Sequence, residues 1–199
     1  NTPDLPWIPA RRTAPARPAD WVRGFAVGDV AVKTPFLLAP MSGVTDTAFR
    51  ITALEASGVG SIGLLTTEFL SVELLTDGHL RTRARMAFAP QIEHPLSVQL
   101  FGDDPARMAE AARQVEAAGA QMVDINCGCP APKVVRRGGG AELMRDPTHL
   151  ARIVDAAASA VRIPVTVKMR TGWDADQQNA VEVALLAERA GAAMISVHG

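Results

Sequence analysis

Short apolar segments alternate with amphipathic ones along most of this chain, which is the order expected for repeated β-strand and α-helix units. Six apolar segments have the length of a strand and lie between turn or helix signals. The pattern predicts strands at 35–40, 62–67, 96–101, 122–127, 164–169 and 193–198. Strands that alternate with helices pair in parallel, because each helix returns the chain to the start of the next strand.

The helices between the later strands have clear start and stop signals. Asp104-Pro105 and Asp146-Pro147 each place a capping carboxylate before a proline, which favours the first turn of a helix. Apolar residues follow at helical spacing: Met108, Ala111, Ala112 and Val115 in one helix, and Leu150, Ile153, Val154 and Ala157 in the next. Gly119 ends the first of these helices, and a third helix is predicted from about Asn179 to Gly191.

This order of elements predicts an α/β fold, specifically a TIM (β/α)8 barrel. Such a barrel has eight strands and about 250 residues, so about six βα units in 199 residues correspond to an incomplete barrel. An open doubly wound sheet is the alternative, but no Gly-x-Gly-x-x-Gly follows the first strand. We expect residues 1–27 to be a flexible lead-in rich in proline and arginine. Residues 28–199 are then the N-terminal part of the barrel.

Composition narrows the possible partners and compartments. The formal net charge is −1, so no overall basic field predicts nucleic-acid binding, although local basic patches are compatible with a neutral total. Cys127 and Cys129 are too close in sequence for an ordinary disulfide between them, which fits a reducing compartment. No apolar run approaches the roughly 18 residues of a membrane span, and the start lacks a secretory signal pattern. A cytoplasmic protein without a membrane partner is predicted.

Polar side chains are predicted at the carboxyl ends of the strands, where a parallel barrel builds its active site. Gln99, Asn126, Lys168 and His198 come from four different strands, and the first strand leads into Met41. Amide, ammonium and imidazole groups beside apolar side chains suit the polar edge of a flat heterocycle. The pattern therefore predicts a flavin site, and no metal site is predicted.

Cys129 is the most informative single residue. It lies between Gly128 and Pro130 directly after a predicted strand, and this setting favours a fixed, exposed turn that holds the thiol at a defined place. A small buried cysteine with only a packing role is the alternative. We interpret Cys127 in that second way.

These motifs resemble the tRNA-dihydrouridine synthases, flavin enzymes that reduce specific uridines in tRNA. The resemblance spans about residues 28–199. The matching segments are 39–46 (APMSGVTD), 49–50 (FR), 67–68 (TE), 98–102 (VQLFG), 124–126 (DIN), 128–130 (GCP), 133–134 (KV), 143–147 (LMRDP), 164–168 (PVTVK), 170–173 (RTGW) and 197–199 (VHG).

The resemblance implies FMN as cofactor, NADPH as electron donor and tRNA as partner. It implies that Cys129 protonates C5 of uracil while reduced flavin delivers hydride to C6. By the same match, the flavin contacts are Pro40, Met41, Ser42, Gln99, Lys168 and His198. Asn126 would orient the substrate uracil or the flavin. The basic residues after the cysteine, Lys133, Arg136 and Arg137, would contact phosphates of the substrate.

Two other functions stay open at this point. One is an FMN-dependent TIM-barrel oxidoreductase that acts on a small molecule, and the other is an inactive RNA-binding fragment. The family's last two barrel strands, which hold the FMN phosphate, and its helical tRNA-binding domain have no counterpart in the matched segments. We therefore expect a truncated chain that carries the redox face of the site and is itself inactive.

Overall fold

A computed structural model describes residues 23–58 and 60–199, which form a parallel sheet and the helices around it. The strands are β1 Phe25–Val27, β2 Val30–Val32, β3 Leu37–Leu38, β4 Leu64–Thr66, β5 Leu70–Ser71, β6 Leu96–Phe101, β7 Met122–Cys127, β8 Val165–Arg170 and β9 Met194–His198. The helices are α1 Thr47–Ser57, α2 Val72–Thr76, α3 Leu80–Arg85, α4 Pro105–Ala117, α5 Pro132–Val135, α6 Pro147–Ala160 and α7 Ala180–Arg189, with a 3₁₀ helix at Gly140–Arg145.

Strands occur at all six predicted places, although β3 and β4 are shorter than expected. They pair in the order β3-β4-β6-β7-β8-β9, and every pair is parallel. Leu37 of β3 and Ser196 of β9, from the two ends of this order, line the same interior cavity. The sheet therefore curls, and the predicted incomplete TIM barrel is confirmed.

Helices α4 and α6 cover the outer face of the sheet. Each begins at its predicted carboxylate: Asp104 accepts from the backbone N–H of Arg107 at 3.0 Å, and Asp146 accepts from that of His149 at 2.9 Å. The residues that each helix buries are the ones whose spacing predicted them. They pack against the outward side chains of the strands in one continuous core. No helix in the described part of the chain is long and apolar enough to cross a membrane.

The amino-terminal hairpin was not predicted. Residues 1–22 of the expected lead-in lie outside the described residues. Residues 25–27, also assigned to the lead-in, instead form β1 and pair antiparallel with β2. Val27 and Val32 are buried against Leu64 and Met122, so the hairpin packs at the amino end of the sheet. Gly28 makes the turn possible because its φ of 58° is in the left-handed region.

Candidate functional site

The register of the central strands places polar side chains side by side inside the barrel. Gln99 pairs with Asp124, and Asp124 pairs with Thr166 on the next strand. One layer nearer the carboxyl ends, Asn126 pairs with Lys168. Because side chains alternate between the two faces of a strand, these residues point inward while their neighbours join the outer core. The interior cavity next to them measures about 170 Å³.

A chain of hydrogen bonds joins four of these inward side chains. The Thr166 hydroxyl donates to one oxygen of the Asp124 carboxylate at 2.5 Å, and Gln99 Nε2 donates to the other at 2.6 Å. Gln99 Oε1 in turn accepts from Asn126 Nδ2 at 2.9 Å. All four side chains are buried. Gln99 and Asn126 therefore each use both ends of their amide within the protein.

The same chain of hydrogen bonds ends at the loop that holds Cys129. Asn126 Oδ1 accepts from the backbone N–H groups of Gly128 and Cys129, at 3.1 and 3.0 Å. On the other side of the loop, the carbonyl oxygen of Cys129 accepts from the N–H of Ala141 at 3.0 Å. Cys129 is half-buried. Its backbone is thus fixed from both sides while its side chain stays partly accessible.

The other cysteine has a different environment. Cys127 is fully buried within the main hydrophobic core, as we predicted from its position. Burial, and to a lesser extent the charge of Asp124, raises the pKa of the Cys127 thiol. A neutral thiol in the core packs as a small apolar group.

Burial also has the largest effect on the pKa of Asp124. It raises the pKa of this carboxyl, and the hydrogen bonds from Thr166 and Gln99 and the charge of Lys168 oppose that rise. Lys168 is half-buried and lines the cavity together with Asp124. A cation and a buried carboxyl therefore share one wall of the cavity.

The predicted flavin contacts are not all brought to one surface. Pro40 and Lys168 line the interior cavity, whereas Gln99 lies behind its wall with its amide already engaged. Met41 and Ser42 are exposed on the loop after β3. His198 is exposed at the end of β9, where it pairs in register with Arg170.

The cavity residues fit the edge of a flat heterocycle. Lys168 supplies a cation, and the apolar side chains of Leu38 and Pro40 supply flat contact area. The Ser97 hydroxyl lines the cavity, is buried and has no hydrogen-bond partner among the described residues. This hydroxyl can donate to or accept from a polar group placed in the cavity. The donor set therefore matches a ring with a polar rim.

The residues predicted to contact phosphates follow the Cys129 loop in the chain. Lys133 lies in α5, and Arg136 and Arg137 directly follow this helix; all three are exposed. Lys133 and Arg137 line a second cleft on the rim, whereas Arg136 points its Nε back to the carbonyl of Pro132 at 3.2 Å. Of the three basic residues, Lys133 and Arg137 therefore face the cleft, and Arg136 lies on the open surface.

Two buried groups that support the site were not predicted. Arg50 and Glu93 form a fully buried ion pair with 2.5 Å between Nε and Oε1. Arg50 Nη1 also donates to the Thr45 carbonyl at 2.6 Å, and Thr45 Oγ1 accepts from the Met41 N–H at 3.0 Å. The pair therefore anchors the loop that carries Met41 and Ser42. Nothing in the sequence around Glu93 indicated that its partner is Arg50.

Gly140 gives a direct test of how the Cys129 loop is held. A Cβ at Gly140 would lie 2.5 Å from the carbonyl oxygen of Cys129, and its φ is +65°. Gly78 has a similar φ of +74° but no atom within 4 Å of such a Cβ. We expect Gly140→Ala and Gly78→Ala each to cost about 1–2 kcal/mol for the left-handed backbone, and only Gly140→Ala to displace Cys129.

The measurement is the rate at which iodoacetamide alkylates the protein, because Cys127 is buried and only Cys129 is accessible. Gly140→Ala should change this rate several-fold and Gly78→Ala should not. Equal rates in both variants would mean that the contact with Gly140 does not position the thiol.

Comparison with known proteins gives a consistent result. The family model described as dihydrouridine synthase (Dus) matches residues 37–199. Among relatives, tRNA-dihydrouridine synthase B of Pseudomonas aeruginosa is 42% identical over 173 residues, which is 87% of this chain and 51% of that protein. A probable tRNA-dihydrouridine synthase of Rhodobacter capsulatus is 47% identical over 167 residues, covering 83% of this chain and 50% of that protein. The chain spans about half the length of these relatives.

Proposed function

Because this chain belongs to the dihydrouridine synthase family, we propose that the whole protein reduces uridine to 5,6-dihydrouridine in tRNA, with FMN as cofactor and NADPH as reductant. The position of Cys129 is the observation that carries this proposal. Its half-buried thiol lies on a loop with a fixed backbone, directly beyond Asn126, the register partner of Lys168. A proton donor and a cation thus lie at neighbouring strand ends.

The reaction needs a proton donor on one side of the uracil C5–C6 bond and a hydride donor on the other. Reduced FMN, when bound, supplies the hydride to C6. Cys129 gives its proton to C5 as a general acid, a role that a positioned thiol can take. Lys168 would hold the polar edge of the flavin ring and would stabilise the negative charge of its reduced form.

The other residues predicted to contact the flavin have direct or indirect roles in this proposal. Pro40 would contact the ring from the cavity wall, Met41 and Ser42 would approach it from the loop that Arg50 anchors, and His198 would approach it from the end of β9. Gln99 contributes through Asn126, because its amide is engaged by Asp124 and Asn126. Asn126 positions the Cys129 loop through its Oδ1, and the second N–H of its amide would orient uracil or the flavin.

The tRNA reaches this site at the rim of the barrel. The target uridine must leave its stack, because its ring cannot be reduced within a stacked loop. Lys133, Arg136 and Arg137 contact phosphates on either side of the extruded nucleotide and raise the affinity at low salt. A tRNA substrate and two free cysteines are consistent with the cytoplasm as the protein's location.

The test is production of dihydrouridine by the full-length protein in cells that lack their own synthases. We expect the purified protein to be yellow with a flavin absorbance spectrum, and mass spectrometry of total tRNA to detect dihydrouridine. Turnover of a free pyrimidine without modified tRNA would support a small-molecule reductase instead. A colourless protein that yields no dihydrouridine would contradict the proposal.

A further inference from the structure

A second cleft lies on the rim, outside the barrel interior. We call it the Arg85 cleft, and its walls include residues of α3 on one side and Lys133 of α5 with Arg137 on the other. It measures about 180 Å³. The residues that matter for its chemistry are Arg85, Lys133, Arg137, Phe69, Ser71 and Ser42.

The Arg85 cleft carries more positive than negative charge, although two carboxylates lie beside it: Glu68 pairs with Arg85, and Glu73 accepts from the Ser71 hydroxyl. Three cations line it, and no carboxylate does. Within residues 23–58 and 60–199, Lys133 and Arg137 form no ion pair, and Arg85 pairs only with Glu68, at 3.5 Å from its Nε. Arg137 Nη1 lies 3.4 Å from the Ser71 hydroxyl. The terminal nitrogens of Arg85 and the Lys133 amine therefore stay available to an anion.

The floor of the cleft is aromatic. Phe69 and Phe101 both line it and contact each other edge to face, with 5.1 Å between ring centroids. Phe69 is partly exposed, whereas Phe101 is buried. A flat apolar ring beside several cations is the combination that binds a phosphate together with a sugar or a base.

The Arg85 cleft is distinct from the cavity that fits the flavin ring, because the two share no lining residue. They are nevertheless linked through Glu68, which is buried. One oxygen of Glu68 pairs with Arg85, and the other accepts from the N–H of Gly43, next to Ser42, at 2.9 Å. The cleft and the loop beside the flavin cavity therefore share one carboxylate.

We propose that the Arg85 cleft binds one phosphate group of a nucleotide ligand, whose sugar or base rests on Phe69. The cleft is smaller than the roughly 300–1,000 Å³ of a site for a complete small molecule, so it holds one part of a ligand that is anchored elsewhere. This rests on the proposed function, which supplies two such ligands. They are tRNA, through a phosphate near the target uridine, and NADPH, through one of its own phosphates.

The test compares two arginines of the same helix in the full-length flavin-loaded protein. Arg85 lines the cleft, whereas Arg81 is exposed and does not. Affinity is measured for an unmodified tRNA transcript by fluorescence anisotropy, and for NADPH by its concentration dependence in flavin bleaching without tRNA. Loss of a charge-assisted contact should weaken one of these ligands about tenfold in Arg85→Gln and neither in Arg81→Gln.

The ligand whose affinity falls in Arg85→Gln, tRNA or NADPH, is the one whose phosphate binds in the Arg85 cleft. If it is tRNA, the slope of log Kd against log salt should fall by about 1 in Arg85→Gln. Arg85→Lys keeps the charge and should restore that slope, or the NADPH affinity if NADPH is the ligand. Equal behaviour of Arg85→Gln and Arg81→Gln overturns the proposal, and so does failure of Arg85→Lys to restore binding, because the effect would then not depend on a positive charge at this position.

These binding assays do not depend on turnover. Absence of dihydrouridine from the wild-type product would therefore count against the proposed function, while unchanged affinities would count against the Arg85 cleft alone.

Discussion

Replacement of Cys129 by alanine is expected to lower dihydrouridine formation by about 10²–10⁴-fold, the usual contribution of a positioned general acid. FMN should stay bound, because the thiol is not among the groups that line the interior cavity. The fold should persist as well, since the loop is held by backbone hydrogen bonds that alanine retains. Single-turnover oxidation of reduced flavin by tRNA, with dihydrouridine measured by mass spectrometry, separates this loss from a loss of binding.

Cys127→Ala is the matched control for this experiment. It removes the other thiol of the chain, which lies in the core and has its pKa raised by burial. We expect it to retain activity, with at most a modest loss of stability from the small cavity. Comparable losses in both variants would indicate damage to the fold, and full activity of Cys129→Ala would remove Cys129 from the mechanism.

Replacement of Glu93 by alanine should have the largest effect on stability. It leaves the Arg50 guanidinium buried without its counter-charge, and breaking a fully buried pair in this way costs about 3–5 kcal/mol. That is a large share of the roughly 5–15 kcal/mol that stabilises a typical domain. The loss should appear as a lower midpoint of urea unfolding in the full-length protein.

The exposed pair of Arg113 and Glu110 on α4 provides the comparison. Both side chains are about half exposed, with 3.1 Å between Nη2 and Oε2, and Glu110→Ala should leave the midpoint unchanged within error. The double variant Arg50→Met with Glu93→Leu removes both charges and should recover much of the stability. If the double variant is as unstable as Glu93→Ala, then lost contacts rather than the unpaired charge explain the defect.

The regular elements could be predicted because each depends on a local pattern. In α4 and α6 the helical spacing of apolar residues identified the buried face, and the Asp-Pro pairs identified the first turn. The hairpin β1–β2 and the short helices α2 and α3 are too brief to establish a period, so they were missed. Here tertiary packing, rather than local pattern, decides the structure.

The candidate site was predictable to a similar degree. Gly128 and Pro130 correctly distinguished the loop position of Cys129 from the core position of Cys127. The partners of Asn126 were not anticipated, although an asparagine two residues before a glycine such as Gly128 is typical of a side chain that caps its own turn. The pairing of Arg50 with Glu93 joins residues 43 positions apart and has no local signal at all.

Hydrogen bonds at the two ends of the chain, to Asp124 and from the Cys129 loop, fix the orientation of the Gln99 and Asn126 side-chain amides. An amide side chain can be turned end for end with almost no change of shape, so a pair of amides alone has two nearly equal arrangements. One arrangement is selected at both ends of the chain: Asp124 accepts from Gln99 Nε2, and Asn126 Oδ1 accepts from the backbone N–H groups of Gly128 and Cys129. Gln99 and then Asn126 therefore present their oxygens toward Cys129. The loop geometry is thereby specified from the barrel interior before any ligand binds, so binding energy need not be used to organise it.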